Sequence, residues 1–245
     1  MKLSNKEIFK KSSKTYYNSS LFFSKKQFDD VKKLYAFVRI FDDFVDAEIP
    51  EKNKYYSYKK KYYNKVKFDL NPNLDFINEF TELQERKKFK QEWVNSFFKS
   101  MEMDLKGYKY ETEKQTLKYI YGSAEVIGYM MCKIIGIKPC IEAAYLGRSM
   151  QYINFIRDIG EDIKLKRNYF HEIKNLTEIK PEEIVNLCEK HKVWANLAKP
   201  GFKKIPYRPR VAIKTAHDMY LWTNKQIIKN PLLIFEKKIK PTKIR

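Results

Sequence analysis

Residues 151–163 read QYINFIRDIGEDI, and the spacing of their polar residues decides the fold class. Asn154, Asp158 and Asp162 fall at i, i+4 and i+8, with Gln151 one turn earlier, so on an α-helix all of them share a face. Ile153, Phe155, Ile156 and Ile159 lie between them and predict a helix set against a core. A second stretch, LYAFVRIFDDFVD at 34–46, places Asp42 and Asp46 on one helical face, with Asp43 beside them. Like charges one turn apart cost helix stability, and unpaired carboxylates beside apolar side chains are expensive. A positive group therefore belongs at each cluster. Arg39 and Arg157 supply part of it. The remainder is either a set of salt bridges to nearby lysines or a bound cation. Carboxylate and amide oxygens suit a hard ion, Mg²⁺ or Mn²⁺, better than zinc. Mg²⁺ is usually held by a few carboxylates together with substrate phosphates, so two such helices facing each other would clamp a diphosphate.

The rest of the chain agrees with helices. Its 245 residues, 43% hydrophobic and 16% aromatic, suffice for one domain with a sizeable core, and seven glycines and nine prolines are few for a turn-dense β protein. Strand-like alternation is not sustained anywhere, and no repeat or linker divides the chain. The expectation is an all-α single domain over 1–245. Helices are predicted before Tyr17, from about Gln27 through Asp46, and after a break at Pro50 and Asn53. In the third of these, Tyr55, Tyr58, Tyr62 and Val66 share a face. A short helix opens at Pro72 and another covers Phe89 to Lys106. An apolar stretch runs from Thr116 to Gly136, and the next helix carries Pro139 in its first turn and ends beyond Asp162. Pro181 opens the following one. Lys199 to Pro209 reads as a loop, before a last helix carrying VAIKTAHDMYLWTNKQII.

Several function classes recede on the same evidence. The net charge of +20 admits an anionic partner, but solvated lysine faces account for most of it. Lysines among tyrosines, such as Lys59, Lys60 and Lys65, could suggest RNA stacking, yet an amphipathic helix explains them and no nucleic acid is expected. Cys132, Cys140 and Cys188 lack metal-ligand spacing and read as reduced thiols of a cytoplasmic protein. His171, His191 and His217 show no paired spacing and read as surface or loop residues. No signal peptide is evident, and the apolar run Val126 to Ile137 is too short to span a bilayer. GxGxxG, P-loop and GxSxG patterns are absent, so no NADPH is expected.

With both acidic stretches read, the chain resembles the squalene and phytoene synthase family along nearly its whole length. SSKTYYNSSLFF (12–23), LYAFVRIFDDFVD, SAEVIGYMM (123–131) and LGRSMQYINFIRDIGEDIKLKRNYF (146–170) match its motifs in order. RPRVAIKTAHDMY (208–220) and FEKKIKPTK (235–243) resemble the C-terminal part of phytoene synthases of archaeal type. The resemblance implies a helical bundle of the isoprenoid synthase type with a central substrate cavity. It implies Mg²⁺ on Asp42, Asp46, Asn154, Asp158 and Asp162. Ser12, Ser13, Lys14, Thr15, Tyr35, Arg39, Gln151, Arg157 and Arg167 would lie around the diphosphates. Tyr169 and Tyr220 match family tyrosines near the reacting groups, and Lys238 stands where some relatives have arginine. Gly128 falls where a small residue would let a prenyl tail pass, or where two helices pack closely.

The implied reaction joins two geranylgeranyl diphosphates head to head, through a cyclopropyl diphosphate, to phytoene in carotenoid biosynthesis. The rivals are a squalene or dehydrosqualene synthase acting on farnesyl diphosphate and a non-catalytic relative serving in binding or assembly. Peripheral contact with a membrane would help release a hydrocarbon product. Ser24, Lys166 and His171 depart from common family residues, which bears on the flap beside the site and not on the acidic residues.

Overall fold

The computed structural model describes residues 22–64, 75–165, 167–176 and 178–241. The expectations that rest on Ser12, Ser13, Lys14, Thr15, the helix before Tyr17, Val66, Pro72 and Lys166 lie outside these residues.

Every regular element among the described residues is helical. In chain order they are α1 (Lys25–Asp46), α2 (Lys52–Tyr63), α3 (Asp75–Lys87), α4 (Gln91–Leu105), α5 (Glu113–Ile120), α6 (Val126–Ile135), α7 (Ile141–Lys164), α8 (Pro181–Ala198), α9 (Tyr207–Lys229) and α10 (Leu233–Glu236). Ser24, one of the departures noted above, has a clear local use. Its hydroxyl accepts from the Gln27 amide at 3.3 Å while the Gln27 side chain accepts from the Ser24 amide at 3.2 Å. That reciprocal pair satisfies two amides that α1 would otherwise leave open.

Local details differ from the pattern reading where backbone chemistry outweighs periodicity. Pro139 lies just outside α7, which is preceded by Cys140 in extended conformation. Lys199–Lys204 forms a 3₁₀ turn, and Pro209 sits inside the first turn of α9, where an amide is not needed for the helix ladder. The apolar stretch from Thr116 to Gly136 holds a π turn, Tyr121–Glu125, between α5 and α6. Two histidines expected at the surface or in loops are buried on helices. His191 on α8 and His217 on α9 are 0% and 2% exposed, because both lie on faces where those helices meet the core.

Packing gathers around α7, which meets α6, α8, α9, α10 and the π turn. Its approach to the preceding segment depends on glycine. A β-carbon on Gly128 would lie 2.3 Å from the Ala143 carbonyl oxygen, and one on Gly147 would lie 2.5 Å from that of Ala124. These two contacts run in opposite order along α6 and α7, so the helices are antiparallel and nearly touch through their backbones. Elsewhere, Phe37 stacks on Phe80 at 3.6 Å and Phe41 meets Phe98 edge-on at 4.9 Å, joining α1, α3 and α4. Buried Asp30 on α1 adds a forked pair with Arg86 on α3, at 2.6 and 3.2 Å.

Candidate active site

Helix α1 ends and α7 passes at one pole of the bundle, and the acidic faces meet there. Asp42 and Asp46 come from the last turns of α1, Asp158 and Asp162 from the last turns of α7. The segment after α7 crosses back, so that Arg167 Nη1 reaches Asp46 Oδ1 at 2.6 Å. Arg39 pairs with Asp42 at 3.2 Å and Asp43 at 2.5 Å. Arg157 forks onto Asp158 at 2.8 and 2.6 Å. Lys238, beyond α10, reaches Asp158 at 3.1 Å and Glu161 at 2.7 Å. The basic residues expected around a diphosphate are therefore found holding the carboxylates.

The carboxylates still crowd one another. Burial, and then the charge of Asp46, push the Asp42 carboxyl upward. Burial, and then Asp158, push Asp162 up to about 7. Among the described residues no three acidic, histidine or cysteine side chains converge closely enough to hold an ion as they stand. The donor chemistry nonetheless fits a hard cation. Asn154 Oδ1 is enclosed and has no hydrogen-bond partner, an acceptor left open one turn before Asp158.

Sequence reasoning missed a third acidic element, Asp104 at the end of α4. It accepts from the Tyr119 hydroxyl at 2.5 Å and the Tyr169 hydroxyl at 3.1 Å. Burial lifts its carboxyl to about 6, against the pull of the Tyr119 hydrogen bond. Burial and then the charge of Asp104 hold both tyrosines well above the usual phenol range, so they remain donors. Tyr169 also stacks on Phe155 of α7 at 4.0 Å, which fixes its ring. A lone aspartate in SMEMDLKGY offers no spacing signal, although an acid closing the apolar face of Met101 and Leu105 could have raised the question.

Beside this cluster lies a cavity of about 310 Å³ between α1, α6, α7 and α9. Tyr35, Gln151 and Asn154 border one end; Cys132, Ile135, Cys140 and Glu142 border the other. Gly128 lines the wall beside Ala143, next to Glu142. The π turn contributes Ser123 and Ala124 to the lining, in keeping with the frequent placement of such turns at functional sites. Tyr220 lies one turn past Ala216 on α9, half-buried against the core. Ser12, Ser13, Lys14 and Thr15 lie outside the described residues. Among those residues no helix is both long and apolar enough to cross a membrane.

Comparison with known proteins agrees with this geometry. The family model for squalene/phytoene synthase matches residues 9–245. The chain is 30% identical over 135 residues to a 15-cis-phytoene synthase of Enterobacter agglomerans, a match spanning 48% of this chain and 46% of that one. It is 33% identical over 79 residues to a 4,4'-diapophytoene synthase of Staphylococcus haemolyticus, spanning 31% of this chain and 28% of the relative. The chain thus matches less than half the length of these curated relatives. Among solved structures, a dehydrosqualene synthase in complex with ligand superposes with a TM-score of 0.79 at 21% identity, over 92% of this chain and 85% of the other. That likeness makes the fold an all-α bundle of the isoprenoid synthase type.

Proposed function

The chain belongs to the squalene/phytoene synthase family, and from that premise we propose that it joins two prenyl diphosphates head to head in a magnesium-dependent reaction. The substrate in this reading is geranylgeranyl diphosphate and the product is phytoene. The observation that carries it is the meeting of two acidic helix ends and their arginines at one end of an apolar cavity.

Asp42, Asp46, Asn154, Asp158 and Asp162 would hold the ions, which when bound would neutralise the diphosphates and stabilise them as leaving groups. That exchange would free the arginines. Arg39, Arg157 and Arg167, each now on a carboxylate, present planar guanidinium forks suited to phosphate oxygens. Departure of the first diphosphate leaves an allylic cation. The double bond of the second substrate captures it, and loss of a proton to the released diphosphate closes the ring to a cyclopropyl diphosphate. Departure of the second diphosphate, rearrangement and loss of a second proton, again to diphosphate, then join the chains through their first carbons. Through these steps the apolar wall keeps water from the cation. Tyr35 lines the cavity one turn before Arg39, at the boundary between tail and diphosphate. Asp104 positions Tyr119 and Tyr169, whose rings pack on each other and on Phe155 of α7.

In the same reading residues 1–245 form one catalytic domain in the cytoplasm, which touches a membrane peripherally to deliver its hydrocarbon. The deciding experiment incubates purified protein with C15 and C20 diphosphates, with and without NADPH, and identifies the hydrocarbon. Phytoene from the C20 substrate without NADPH supports the reading. Squalene alone, formed only with NADPH, replaces it with the rival on farnesyl diphosphate.

A further inference from the structure

The cavity wall is apolar almost throughout, and its far end carries an exception. Glu142 stands there, on the face of α7 that continues through Leu146 and Met150 to Asn154. Its Oε1 receives the Lys204 ammonium at 2.7 Å, from the 3₁₀ turn that follows α8. That turn rests directly on it: a β-carbon on Gly201 would lie 2.6 Å from Glu142 Cβ. The Lys204 ammonium first, then the residue's own amide and the Cys140 thiol, hold the Glu142 carboxyl below the usual carboxylate range. An acidic residue in the first turn of a helix is ordinary, since it complements the helix dipole. The dipole does not by itself place that acid on the wall of an apolar cavity, where a charge opposes the entry of hydrocarbon.

We propose that Glu142, pinned by Lys204, is the floor of the cavity and sets the longest prenyl tail the site accepts. This rests on the proposed function and adds its length limit. From Asn154 to Glu142 the helix advances twelve residues, about 18 Å at 1.5 Å each. An extended carbon chain covers about 3.8 Å per three bonds, as the trans peptide unit does, so a C15 tail of eleven main-chain bonds spans about 14 Å and a C20 tail of fifteen about 19 Å. A C25 tail, near 24 Å on the same measure, overruns the floor. The C20 tail ends against Glu142. The side chain's volume stops a longer one, and its charge makes further entry of hydrocarbon unfavourable.

Two measurements test this on the full chain. One compares turnover of C15, C20 and C25 diphosphates by wild type, Glu142→Ala, Glu142→Gln and Lys204→Ala. The other follows thermal protection by non-ionising thiolodiphosphates of the same lengths, which needs no chemistry. The C25:C20 turnover ratio is expected to rise at least about tenfold in Glu142→Ala, the size of discrimination a pocket wall can impose. Glu142→Gln, of equal volume, should move it far less, and Lys204→Ala should fall between. Protection should stop growing at C20 in wild type and continue to C25 in Glu142→Ala. If Glu142→Ala does not fold, Lys204→Ala decides, because that side chain is half exposed. An unchanged ratio together with unchanged protection in the folded variants overturns the proposal. If wild type turns over no prenyl diphosphate, the proposed function falls. The floor is then judged by the protection series alone, and a wild-type series without a limit at C20 overturns it.

Discussion

Arg167 Nη1 lies 2.6 Å from Asp46 Oδ1 while its Nη2 donates to the Val45 carbonyl at 3.0 Å. One guanidinium thus closes the C-terminal end of α1 and ties it to the segment that leaves α7. A lysine can make one of these contacts but not both, since its ammonium is a point and not a fork. Arg167→Lys should therefore lower turnover by at least about tenfold, as loss of one well-placed donor does. Circular dichroism should stay unchanged, because the pair lies near the surface. Wild-type rates in the folded variant would reduce Arg167 to a strap between two segments.

The metal-binding role assigned to both acidic faces makes its own demand. Turnover should vanish after exhaustive chelation and return with Mg²⁺ or Mn²⁺. Asp42→Asn and Asp158→Asn should each cost at least about 10²-fold, since charge held at the leaving group contributes several kcal/mol. Both variants should remain helical, and the loss of each carboxylate relieves crowding at its neighbour. Full turnover in chelator would sink the metal assignment, whereas unfolding of either variant would mark a structural charge network.

Gly128 borders the cavity, but its α-carbon faces the Ala143 backbone so closely that any side chain must part α6 from α7. Gly128→Ala should accordingly lower the melting temperature by several degrees and depress turnover of C15 and C20 substrates alike. A selective loss of the C20 substrate with unchanged melting would return Gly128 to the role of tunnel wall. The resemblance alone could not separate the two roles, because both call for a small residue.

How far the sequence could be read follows from how local each signal is. The helices of QYINFIRDIGEDI and LYAFVRIFDDFVD were legible because their spacing is a property of a few consecutive residues. Arg39 and Arg157 were seen as partners for the same reason, each lying within one turn of its carboxylate. Asp104 was not legible, since Tyr119 and Tyr169 reach it from positions far along the chain. Lys204 and Glu142 are likewise distant in sequence and meet only through the 3₁₀ turn. Burial of His191 and His217 escaped for a related reason: a polar residue at a helical position carries no mark of whether another helix will cover it.

His191 offers the clearest test of that last error. It is 0% exposed, and neither ring nitrogen has a hydrogen-bond partner. A neutral imidazole carries one N–H, so burying it unpaired costs about 1–3 kcal/mol. Burial, then the neighbouring charges of His217 and Lys192, push its pKa down to about 3. The unfolded ring titrates near its ordinary value of about 6.5. Between these values the unfolded chain binds a proton that the folded chain refuses. The folded chain thus carries no protonation penalty above about pH 6.5 and loses stability as pH falls toward 3, by up to about 1.4 kcal/mol per unit. His191→Leu removes both penalties. The variant should exceed wild type by about 1 kcal/mol at pH 7, or a few degrees in melting temperature. Guanidinium midpoints at pH 5 should show that gap wider by about 2 kcal/mol. A gap that is the same at both values would mean that the His191 ring is not held neutral, and a variant less stable than wild type at pH 7 would mean that it has a partner.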